Sequence, residues 1–124
     1  MMPSKLTTLI VLTVIVFLTG YWLHRSGSPY GTATLTIHKL LALAAIGLAG
    51  TIVFTAYKGF GMQGSDLMLW GSTIILLLIV IVTGGVVSAI ESAPAWLIHI
   101  HRLLPYFATT VAAISVYQAL DILE

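Results

Sequence analysis

The stretch Leu67–Ile90 reads LMLWGSTIILLLIVIVTGGVVSAI, a run of 24 residues without one ionisable side chain. A helix of about 20 apolar residues crosses a hydrocarbon core of about 30 Å, so this run is long enough to span a bilayer. Three further runs share its character, at about 6–23, 35–57 and 96–120. Between them lie segments of turn chemistry: Ser26-Gly27-Ser28-Pro29-Tyr30-Gly31, then Lys58 to Asp66 with Gly59, Gly61 and Gly64, then Glu91-Ser92-Ala93-Pro94-Ala95. Asp66 is expected to cap the third helix. The runs are too long and too free of alternating polarity for barrel strands, and lipid tolerates no other spanning structure. The expected fold is all-α, a transmembrane four-helix bundle with both termini on one side.

Composition agrees. Of 124 residues 59% are hydrophobic and 7% charged, where a soluble domain has about a quarter charged. One integral membrane domain accounts for the chain, with no soluble enzyme module. A net charge of +1 and singly scattered basic residues give no footprint for nucleic acid. The absence of cysteine excludes disulfides, thiolate metal sites, iron–sulfur clusters and covalently attached haem. The first run could be mistaken for a signal peptide, but Tyr21-Trp22-Leu23-His24 offers no small-residue cleavage site, and it reads as a helix.

An internal repeat gives the histidines their meaning. Ile37-His38-Lys39-Leu40-Leu41 returns 63 residues later as Ile100-His101-Arg102-Leu103-Leu104, and Thr19-Gly20 returns at a spacing of 64 as Thr83-Gly84. Each half, about 1–62 and 63–124, is a hairpin carrying Thr-Gly, a loop, and His followed by a basic residue. Two helices restore the direction of the chain, so the halves are expected to be related by a pseudo-two-fold axis along the membrane normal. That relation puts His38 and His101 at equal depth, in one layer with the Thr-Gly pairs.

Small residues follow each histidine along one helix face: Ala42, Ala45, Ala49, Ile52 and Ala56 after His38, and Pro105, Ala108, Ala112, Ser115 and Ala119 after His101. Such stripes let membrane helices pack closely. They also give the clearance a flat macrocycle needs, and Gly20, Gly84 and Gly85 remove side chains at the histidine level.

In these features the chain resembles the small membrane-embedded b-type cytochromes, four-helix bundles that carry electrons for respiratory dehydrogenases and quinone-linked systems. The resemblance implies one non-covalent haem b with His38 and His101 as axial ligands. It implies that Lys39 and Arg102 pair with the haem propionates, and that Gly20, Gly84, Ala42, Ala45, Pro105 and Ala108 make room for the ring. Many members carry a second haem near the other membrane face, where this sequence has no histidine. The implied activity is electron relay rather than stand-alone catalysis. Expected partners are the lipid bilayer and, beyond it, a quinone, a partner redox subunit or further copies of the chain, in a cytoplasmic membrane of prokaryotic type.

Ionisable residues within a span are costly and point to function, although histidines near helix starts also suit side chains reaching for headgroups. His24 and His99 have no repeat partners, since Val87 and Thr36 stand at the matching positions. They read as interfacial residues. All four histidines nevertheless fall on one side, which keeps open a Cu or Zn transporter or sensor that uses His24 and His99 as well. A non-catalytic anchor or assembly subunit is the other alternative. Trp22, Trp70 and Trp96 read as the interfacial aromatic belt, Met62 and Met68 as interfacial filler, and Tyr57, Lys58, Gln118 and Asp121 as the opposite membrane edge. Positive groups divide evenly, with Arg25, Lys39 and Arg102 on the histidine side and Lys5, Lys58 and the amino terminus on the other, so charge does not decide the orientation.

Overall fold

The computed structural model describes residues 2–123 and is helical apart from three short connections. Helix α1 covers Met2–Ser26, α2 Thr32–Phe60, α3 Gly64–Ala89 and α4 Ala95–Leu123. Each has a stretch of at least 24 residues that is long and apolar enough to cross a membrane. The fold is therefore all-α with four membrane-length helices, and it fits a multi-pass integral membrane protein. Hydroxyl side chains inside these apolar helices return their protons to the preceding turn, as Thr13 does to the Leu9 carbonyl and Thr110 to the Tyr106 carbonyl, each at 2.8 Å. Such bonds let polar residues sit in lipid without an unsatisfied donor.

The helices extend a few residues beyond the apolar runs, because backbone hydrogen bonding continues through a polar residue where the chain meets the interface. Helix α4 carries on through Asp121, and α2 keeps Lys58 and Gly59 helical. What stops α1 and α2 is glycine in the left-handed region, Gly27 at φ 69° and Gly61 at φ 71°. The Gly27 N–H donates to the Leu23 carbonyl at 3.0 Å and the Gly61 N–H to the Tyr57 carbonyl at 2.9 Å. The connection after α2 thus shrinks to residues 61–63, and Asp66 is not the N-cap of α3. Gln63 holds that position, and the Asp66 carboxylate reaches back to accept its N–H at 3.0 Å, an arrangement of the capping-box type.

The chain forms two compact units, Met1–Phe54 and Thr55–Glu124, with the boundary inside the last turns of α2. In the first unit α1 and most of α2 form a helical hairpin, joined side chain to side chain by Thr19 and His38. In the second, the end of α2 accompanies the hairpin of α3 and α4. Its core holds Trp70, Thr73 and Val87 from α3 and Ala108, Ser115, Val116 and Ala119 from α4. The small-residue stripe of α4 is thus largely an inward face. Thr73 and Ser115, 1% and 0% exposed, meet at 2.9 Å. Outward, Leu18, Leu40, Phe54, Ile75, Val82, Leu103 and Phe107 present apolar surface suited to lipid tails.

Candidate functional site

The structure builds one local arrangement twice. In the first unit Thr19 stands on α1 facing His38 on α2, with Thr19 Oγ1 2.9 Å from His38 Nδ1. In the second unit Thr83 on α3 faces His101 on α4, with Thr83 Oγ1 3.0 Å from His101 Nδ1. Each threonine hydroxyl also sits against two carbonyls of its own helix. Thr19 Oγ1 lies 2.9 Å from the Ile15 oxygen and 3.0 Å from that of Val16, and Thr83 Oγ1 lies 2.8 Å from the Ile79 oxygen and 3.0 Å from that of Val80. All four side chains are half-buried.

The glycine after each threonine gives the imidazole its seat. A Cβ placed on Gly20 would stand 3.1 Å from Cε1 of His38, and one on Gly84 would stand 2.6 Å from Cε1 of His101. Real Cβ atoms do not approach a ring carbon as closely as the second figure, so Gly84 is required by the present position of His101. What these two glycines clear is the histidine ring itself. Gly85 differs, since a Cβ there would meet nothing within 4 Å.

Around the modules, Ala42, Ala45 and Pro105 are half-buried and Ala108 is buried. Pro105 follows His101 by one turn and has no N–H to donate to the His101 carbonyl, whereas Ala42 keeps that donor in the first unit. Lys39 and Arg102, next to the histidines in sequence, are exposed, and so are His24 and His99. Among the described residues no group of three or more His, Cys, Asp or Glu side chains is arranged to hold a metal ion.

The other ends of the helices carry a correction. Trp22 and Trp96 are 66% and 63% exposed, as belt residues are, but Trp70 is 8% exposed and lies beside Tyr57, itself buried. Tyr57 also faces Asp66. Trp70 therefore belongs to the core of the second unit rather than to the belt. Met62 and Met68 are exposed, as interfacial side chains are.

The sequence sets each Thr-Gly pair at the level of the histidine in its own half, and within each unit the threonine bonds its histidine directly. The matched spacings of 63 and 64 were the available signal for that bond. The Thr73–Ser115 pair had no such signal, because Leu9 and Ile52 stand at the corresponding places of the first half. Comparison with known protein families, with characterised proteins and with solved structures finds no match to this chain.

Proposed function

We propose that the protein is a membrane-embedded cytochrome that relays single electrons, with His38 and His101 supplying the two axial ligands of one non-covalent haem b. The duplicated module carries this reading. Two histidines on separate hairpins have the same threonine at Nδ1 and the same glycine against the ring edge. An interfacial histidine reaching for headgroups needs no oriented ring, whereas metal-ligating histidines characteristically have their other nitrogen engaged and their plane fixed.

The residues fit the group. Two imidazoles form the donor set of six-coordinate haem b, and the cysteine-free sequence matches non-covalent attachment. Haem would supply the one-electron redox chemistry. The chain's part is to hold and orient the rings through Thr19, Gly20, Thr83 and Gly84, and to keep water out with apolar helices. Lys39 and Arg102 carry the positive charge that suits propionates at the membrane edge. Electron donor and acceptor fall in the class of quinones or partner redox subunits.

Ligand replacement tests the assignment in protein expressed with ample haem. His38→Ala and His101→Ala should each abolish the low-spin haem signal, while His24→Ala and His99→Ala should preserve it. Equal loss from all four variants would show that the ligands are misassigned.

A further inference from the structure

Building on that ligand assignment, we infer that Thr19 and Thr83 are positioning residues that hold each histidine as its Nδ1–H tautomer and so place the ligating lone pair on Nε2. A threonine hydroxyl has one proton and two lone pairs. The carbonyls of Ile15 and Val16 lie within 3.0 Å of Thr19 Oγ1, as do those of Ile79 and Val80 to Thr83 Oγ1. Carbonyl oxygens only accept, so the single proton is claimed by the threonine's own helix. What Oγ1 then offers Nδ1, at 2.9 Å in one module and 3.0 Å in the other, is a lone pair.

The contact is attractive only if Nδ1 bears the proton. The opposite tautomer would set a nitrogen lone pair against an oxygen lone pair in a low-dielectric setting, where such repulsion is weakly screened. A neutral imidazole protonated on Nδ1 has its basic lone pair on Nε2. The same bookkeeping applies to both histidines, and it uses residues that the ligand assignment alone would leave as helix packing.

A chemical consequence follows. A hydroxyl is a weaker acceptor than a carboxylate, so the rings stay neutral imidazoles with modestly raised basicity. Removing the acceptor lowers the basicity of the ligand and favours the reduced iron, which raises the midpoint potential.

The test has an arm without haem. In full-length apoprotein labelled with ¹⁵N-histidine in detergent micelles, long-range ¹⁵N–¹H correlation spectra distinguish the two tautomers. His24→Ala and His99→Ala variants complete the assignments. The expected result is the Nδ1–H form at His38 and His101 in the wild type, loss of that preference at His38 alone in Thr19→Val, and its recovery in Thr19→Ser. An Nε2–H form at either histidine, or an unchanged His38 in Thr19→Val, would overturn the inference. In the haem-loaded protein Thr19→Val and Thr83→Val should retain the low-spin signal and shift the midpoint potential upward, and unchanged potentials in both would contradict the ligand-strength role. Apoprotein showing the Nδ1–H tautomers without any haem binding would support the threonine assignment and remove the haem reading. Normal haem binding with Nε2–H apoprotein would do the reverse.

Discussion

A Cβ on Gly84 would stand 2.6 Å from Cε1 of His101, where the corresponding distance from Gly20 to His38 is 3.1 Å. The two modules share one design but differ in tightness. In Gly84→Ala the imidazole must move, and moving it lengthens the bond from His101 Nδ1 to Thr83. In Gly20→Ala a few tenths of an ångström of adjustment is enough. Gly84→Ala should therefore disturb the low-spin haem signal, measured as a change in electron paramagnetic resonance g-values and in haem retention, clearly more than Gly20→Ala. Gly85→Ala, which meets open space, should leave both unchanged.

The buried hydroxyls of Thr73 and Ser115 present three possible bonds for two protons: one to each other and one from each to its own helix, to the Leu69 and Val111 carbonyls. One hydroxyl therefore gives its proton across the hairpin and the other keeps it local. Because each side chain retains a backbone partner when the other is removed, the cross-helix bond should be modest. A double-mutant cycle of Thr73→Val and Ser115→Ala, read by reversible unfolding in detergent, should give a coupling of about 0.6 kcal/mol, the average for interhelical bonds in a membrane. Zero coupling would show that the pair does not hold α3 to α4.

Asp66 acts at the third position of α3 by accepting the Gln63 N–H at 3.0 Å. Asp66→Ala removes that acceptor from an exposed helix start. A destabilisation of about 1 kcal/mol is expected, typical of a lost cap, with faster amide exchange at Gln63 as the local marker. Exchange at Gln63 equal to that of the wild type would rule out the capping role.

The spans were legible because each apolar run has about the length of a bilayer crossing, and Leu67–Ile90 exceeds it without interruption. The equivalence of His38 and His101 was legible because the flanking Ile, basic residue and Leu-Leu repeat with them. Composition marks Lys58 to Asp66 as a connection, yet Gly61 ends α2 only because of its backbone conformation, which leaves Lys58 and Gly59 in the helix. A tryptophan near a helix end looks the same whether it faces headgroups, as Trp22 does, or packs beside Tyr57, as Trp70 does. The immediate neighbour of Gly20 and Gly84 was hidden from the sequence for a related reason. Glycine signals that something comes close, and only the fold shows that the close neighbour is the imidazole.

The most direct test of the central claim is a reduced-minus-oxidised absorption spectrum of the purified wild-type protein, expressed with ample haem and compared with the His38→Ala/His101→Ala double variant. The account predicts a haem b band in the wild type at about one haem per chain, on the bis-histidine stoichiometry, and none in the variant. A wild-type spectrum without that band, or a double variant that keeps it, would contradict the account.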